Sequence, residues 1–163
     1  MPLALNRTSA LRVVIDTNAV LDWLVFANPA AAQLGDSVRQ GHSIWCATAA
    51  MLDELRMVLN RPLAERWEPA RKLALTSGLD SLAFTLPPKD IPAPPDRLIC
   101  RDPADQMFID LALRCSPSWL VTRDRALLAL RRRAAPKGVV IATPEQWQQH
   151  HASVAAASAP APP

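Results

Sequence analysis

Short apolar runs alternate with amphipathic stretches along most of the chain. Leu11-Arg-Val-Val-Ile15 is a β-branched run that stops at Asp16-Thr17-Asn18, residue types suited to a turn or a helix cap. Val20, Leu21, Leu24 and Val25 then fall on one helical face. Asn28-Pro29 breaks that helix, and residues 30–40 read as a second one ended by Gly41. Ser43-Ile-Trp-Cys46 predicts a second strand, and Thr48 is placed to cap a helix to about Leu59, which Arg61-Pro62 stops. Pro69 suits the first turn of a helix to about Leu82, weakened at Gly78, and Pro87, Pro88, Pro92, Pro94 and Pro95 predict an extended loop. Asp102-Pro103 opens a helix to about Cys115, and Trp119-Leu-Val-Thr122 is a third strand. Asp124 begins a helix to Arg133, Gly138-Val-Val-Ile141 is a fourth strand, and Pro144 opens a last short helix.

Strands separated by helices imply right-handed crossovers and an α/β fold, a central parallel sheet covered by helices on both faces in three α/β/α layers. A length of 163 residues suits one domain, and no internal repeat is present. Residues 1–10 are expected as an N-terminal extension, residues 11–151 as the folded domain, and residues 152–163, rich in Ala, Ser and Pro, as a disordered tail. In such sheets the working site lies beyond the carboxyl ends of the strands. Asp16 and Asp124 each follow a strand, so both are expected on that edge.

Two further acids stand out because they break the apolar pattern of their helices. Asp105, Phe108, Ile109 and Ala112 share one stripe at i, i+3, i+4 and i+7. A carboxylate there points to the core or to a cleft, where an unpaired charge is costly. Asp110 projects instead with Gln106 and Arg114 and reads as a solvated ion-pair partner, while Asp102 reads as a cap. Glu54 likewise falls in the stripe of Met51, Leu55, Val58 and Leu59, whereas Asp53 lies across the helix with Arg56 and Asn60. Taken singly, Asp16 and Asp124 also fit helix caps, and Asp105 and Glu54 also fit ion pairs with a basic residue. Taken together, two strand-end acids and two acids on apolar faces favour one cleft.

Carboxylates gathered in one cleft repel. At an effective dielectric of 20 and a separation of ~5 Å, each charged pair costs about 3 kcal/mol, which a proton or a cation must relieve. A set of oxygen ligands without His or Cys suits Mg²⁺ or Mn²⁺ better than zinc. Such an ion neutralises a phosphate, activates a water and stabilises a leaving oxygen, so phosphodiester hydrolysis is the natural chemistry.

Composition narrows the partners less sharply. The net charge is +3, but Arg123, Arg125, Arg131, Arg132, Arg133 and Lys137 crowd one stretch that reads either as a solvated helix face or as a phosphate-binding surface. Cys46, Cys100 and Cys115 are far apart and outside CxxC spacing, which points to buried free thiols rather than zinc or a disulfide framework. No apolar run approaches the ~20 residues of a membrane span, and residues 1–10 lack a signal-peptide layout, so a cytoplasmic protein is expected.

Several segments, in order, resemble the PIN domain, in the branch formed by toxins of bacterial toxin–antitoxin modules. They are Val13-Val-Ile-Asp16-Thr17-Asn18; Glu54-Leu55 with Val58-Leu-Asn-Arg-Pro62; Arg101-Asp102-Pro103-Ala104-Asp105 with Phe108-Ile-Asp-Leu-Ala112; Leu120-Val-Thr-Arg-Asp124; and Thr143-Pro-Glu145. The resemblance runs from about Leu11 to Trp147. It implies a metal-dependent endoribonuclease in which Asp16, Glu54, Asp105 and Asp124 are the catalytic and Mg²⁺- or Mn²⁺-binding acids. It also implies supporting roles for Asn18 and Thr122, RNA as substrate, a small antitoxin as partner and a homodimer. Arg123 stands where that branch often has glycine, and with Arg131, Arg132 and Arg133 it is a candidate phosphate ligand. Two other readings are a non-catalytic PIN-like module that binds RNA or a partner, and a haloacid-dehalogenase-type phosphatase built on Asp16. The second lacks its usual acid two residues on, where this chain has Asn18.

Overall fold

The computed structural model describes residues 10–85 and 97–157, and the side chains of all of these but residues 80 and 153–157. The expected proline-rich loop and all but the last residue of the expected N-terminal extension lie outside the described residues. The chain runs β1 (Leu11–Ile15), α1 (Thr17–Leu24), α2 (Pro29–Arg39), β2 (Ser43–Ala47), α3 (Ala49–Leu59), α4 (Glu68–Thr76), α5 (Leu79–Leu82), β3 (Ala83–Thr85), α6 (Gln106–Arg114), β4 (Ser118–Val121), α7 (Arg125–Leu128), α8 (Arg131–Ala134), β5 (Val139–Ala142) and α9 (Pro144–Ala157).

The five strands form one parallel sheet in the order β3-β2-β1-β4-β5. Consecutive residues of a strand face opposite sides, and Val13 and Val14 of the central strand are both fully buried. Helices therefore cover both faces, as a near-continuous apolar strand requires. From β1 the chain builds the sheet outward through β2 and β3, then returns to the other side of β1 for β4 and β5. The order reverses between β1 and β4, and the crevice at their carboxyl ends is the topological switch point where such sheets place their sites.

The fold differs from the sequence pattern in four places. A fifth strand, β3, was not expected; it is three residues long and, among the described residues, lies at the sheet edge and pairs only with β2. Its Ala-Phe-Thr sequence shows neither alternation nor an apolar run, because Phe84 and Thr85 are exposed. The helix expected from Pro69 to Leu82 is split where Gly78 takes a left-handed conformation, at φ 66°. The helix expected from Asp124 to Arg133 is two short helices, α7 and α8. At the carboxyl end α9 is longer than the short helix expected and runs on to Ala157, into the stretch expected to be disordered; residues 158–163 lie outside the described residues. All three cysteines are buried free thiols, and among the described residues no helix is long and apolar enough to cross a membrane.

The packing of α2 on α1, the helix that begins after Asp16, depends on one close approach. Trp23 of α1 is buried between Trp45, whose ring meets it edge-on at 5.9 Å, and Gly35 of α2. A Cβ at Gly35 would lie 2.0 Å from two atoms of the Trp23 indole, so α2 sits this near to α1 only because residue 35 has no side chain. Gly35→Ala is expected to cost about 1–3 kcal/mol by overpacking, lowering the denaturant midpoint, with part of the loss recovered by Trp23→Phe in the same chain. An unchanged midpoint would contradict this packing.

Candidate metal centre

Asp16 directly follows β1 and occupies the cap position of α1, yet its side chain makes no capping hydrogen bond. It is buried, and its Oδ2 accepts a 2.7 Å hydrogen bond from the hydroxyl of Thr122, at the end of β4. The Asp16 backbone N–H donates to the Val121 carbonyl at 2.9 Å. The Thr122 hydroxyl also accepts from the Asp124 N–H at 2.9 Å. One fully buried hydroxyl thus joins the two acids that the strands deliver to the switch point. Asp124 does cap its helix: its Oδ1 accepts from the N–H groups of Ala126 (2.7 Å) and Leu127 (3.1 Å).

Asp105 ends a single 3₁₀ turn, Pro103–Asp105, and starts α6 without making a capping bond. Behind it Phe108, Ile109 and Ala112 are buried against the sheet, while Asp105 itself is half-buried. Asp102 is the cap of that turn, accepting from Ala104 N–H at 2.9 Å. Asp110 pairs with Arg97 at 2.6 Å and accepts from Gln106, which keeps it out of the cluster and leaves it less solvated than its helical position suggests. Glu54 is half-buried on α3 and accepts a long hydrogen bond, 3.4 Å, from the buried hydroxyl of Thr17. Asp53 forms a surface pair with Arg56.

The electrostatics show which acids meet. Burial pushes the Asp105 carboxyl up to about 7, helped by the charges of Asp124, Asp16 and Asp102 and by a hydrogen bond with Asp124 that favours the protonated form. Burial also raises Asp16, as do the charges of Asp124 and, more weakly, Glu54, while the Thr122 hydroxyl and the Thr17 N–H pull it down. Asp16 and Asp105 therefore each feel the charge of Asp124, and Asp16 feels that of Glu54, which Thr17 tethers; these are the candidate acids of the centre. Asn18 is exposed on α1 and takes no part in the bonds that tie the acids.

Two of the arginines expected as phosphate ligands are engaged elsewhere. Arg123 bridges Asp22 of α1 and Glu145 of α9. Arg131 donates to the Ile141 carbonyl at 2.8 Å and to Gln146 at 2.7 Å. Both clamp the carboxyl-terminal segment in place. Arg132 and Arg133 are exposed on α8, which packs on the edge strand β5. The arginines beside the acids are Arg101 and Arg125, which line a cleft with Asp102 and Asp124. Arg125 belongs to the basic stretch read above as a solvated face or a phosphate-binding surface; sequence reasoning gave no role to Arg101 or Thr17, although each directly adjoins a candidate acid or cap.

A family model described as PIN domain matches residues 12–126, a span that holds all four acids. The chain belongs to the PIN domain family. Members of that family are typically metal-dependent nucleases. No curated protein matches the chain.

The donor set fits a hard divalent cation. It is all oxygen, and neighbouring carboxylate charge adds to burial in raising the proton affinity of Asp16 and Asp105, which is the repulsion a cation relieves. Among the described residues, however, no three His, Cys, Asp or Glu side chains are gathered into a ready-made ion shell. The same repulsion sets a pH dependence for the metal-free protein. Because the folded-state value of Asp105, about 7, lies above the ordinary 3.8, the folded chain holds its proton where the unfolded chain has lost it. The contribution is fully present below about pH 4 and lost as pH rises through about 7. In EDTA, the wild type is expected to lose stability relative to Asp105→Asn across that window, and a difference independent of pH would contradict it.

Proposed function

We propose that this PIN domain is a Mg²⁺- or Mn²⁺-dependent endoribonuclease that hydrolyses RNA phosphodiester bonds, and that it is the toxin of a cytoplasmic toxin–antitoxin pair, held in check by a small antitoxin and able to form a homodimer. The observation that supports the nuclease reading best is the convergence of Asp16, Asp105 and Asp124 on the β1–β4 switch point, two of them tied to one buried Thr122 hydroxyl. Asp16 and Asp105 would hold the ion directly, since neither carboxylate is used to cap a helix. Asp124, with one oxygen committed to α7, and Glu54, at the margin, would complete the site directly or through water. A bound divalent ion supplies charge neutralisation at the phosphate and an activated water. Thr122 orients the Asp16 carboxylate, and Thr17 restrains Glu54.

The absence of a preformed ion shell among the described residues favours a second reading, a PIN-like module that binds RNA or a partner without turnover. Calorimetry with Mn²⁺ after EDTA stripping separates the two. Under the nuclease reading the wild type takes up Mn²⁺ saturably, Asp105→Asn loses that uptake while staying folded, and Asp16→Asn lowers RNA cleavage by about 100-fold or more, which is about 3 kcal/mol or more at roughly 1.4 kcal/mol per tenfold. Retained cleavage in a pure Asp16→Asn preparation would sink the assignment.

A further inference from the structure

We propose that Arg101 and Arg125 form a phosphate-binding cleft that grips the nucleic-acid backbone next to the scissile site, an inference that takes its substrate from the nuclease reading above. The cleft, about 510 Å³ in volume, is lined by Arg101, Asp102, Pro103, Asp124, Arg125 and Ala126. Asp124 belongs both to this wall and to the acid cluster, so the cleft opens directly beside the centre.

Among the described residues Arg132 and Arg133 are, like Arg101 and Arg125, exposed and without a partner, and what sets Arg101 and Arg125 apart from them is their place in the wall of this cleft. Arg71 is taken by Glu68, Arg97 by Asp110, Arg123 by Asp22 and Glu145, and Arg131 by a carbonyl and a glutamine. Arg101 and Arg125 each adjoin an aspartate in sequence, yet those aspartates turn an oxygen onto backbone N–H groups, Asp102 to Ala104 and Asp124 to Ala126 and Leu127. Among the described residues neither guanidinium has a hydrogen-bond or ion-pair partner, and both residues are exposed. The rest of the lining is small: Pro103, Ala126 and Ala129 leave the space between the arginines unfilled. A planar guanidinium with free donors is matched to phosphate oxygens, which it binds bidentately. Asp102 and Asp124 temper the positive charge of this wall, so the cleft suits a phosphate that approaches along a chain already held at the acids better than a lone anion.

The test is the salt dependence of single-stranded RNA binding, read by fluorescence anisotropy in EDTA, where no metal-dependent turnover consumes the probe. Each phosphate contact on a single strand contributes about −0.7 to the log–log salt slope. Arg101→Ala/Arg125→Ala is expected to flatten the slope by about 1.4 and to weaken binding at low salt about tenfold. Arg101→Lys/Arg125→Lys keeps the charges on the same exposed positions and is expected to keep the slope, which separates lost contact from misfolding. An unaltered slope in the alanine double variant overturns the cleft, whatever cleavage does. A flattened slope in a chain that does not cleave RNA with Mn²⁺ would keep the cleft and remove the nuclease reading.

Discussion

The ends of β1 and β4 meet at one buried hydroxyl. Thr122 has a single proton to give and gives it to Asp16, while its lone pair takes the N–H of Asp124. Because one atom carries both bonds, the two strand-end acids cannot be repositioned independently. The parallel pairing of Ile15 with Val121 and the bond from Asp16 N–H to the Val121 carbonyl fix the backbone beneath them. The remaining members of the centre are arranged around this junction. Asp105 comes in on α6, which packs against β1 and β4, and Glu54 comes in on α3, linked through the first residue of α1.

Such an arrangement opposes the stability of the metal-free fold. Burial and like charge both favour neutral carboxyls, and Asp105 is pushed near 7 for that reason. A fold under no other constraint would be more stable with an apolar residue on that stripe, beside Phe108 and Ile109. Keeping the acid there makes sense where a cation or a charged ligand supplies the compensating charge.

How far this was legible in the sequence differed by level. Asp105 and Glu54 could be singled out because a helix has a fixed period, so an acid at a buried phase is visible without coordinates. Asp16 and Asp124 were visible as acids after apolar strands, but not the asymmetry between them: Asp124 caps its helix while Asp16 does not. That distinction depends on Thr122, 106 residues from Asp16 along the chain. The strand β3 was illegible because an edge strand of three residues, two of them exposed, carries no periodic signal. The splitting of the helix after Asp124 likewise leaves no mark that propensity would register in Arg131-Arg-Arg133.

The basic stretch shows why charge density along a sequence is a poor guide to charge density in space. Arg123 and Arg131 are drawn inward by partners on α1, β5 and α9 that lie far from them in sequence, and they act as clamps. Arg101 lies outside that stretch, but the fold brings it to Arg125 across the cleft. A cation whose counter-charge is already supplied by the fold is a structural tie. A cation left without one at the edge of an acidic cluster is available to a ligand, and its neighbouring aspartates here each turn one oxygen onto backbone N–H groups instead. The caps at Asp102 and Asp124 therefore do more than start helical turns: they commit one oxygen of each carboxylate to backbone N–H groups within the cleft that Arg101 and Arg125 line, so that neither aspartate is tied up as an ion-pair partner of the arginine beside it.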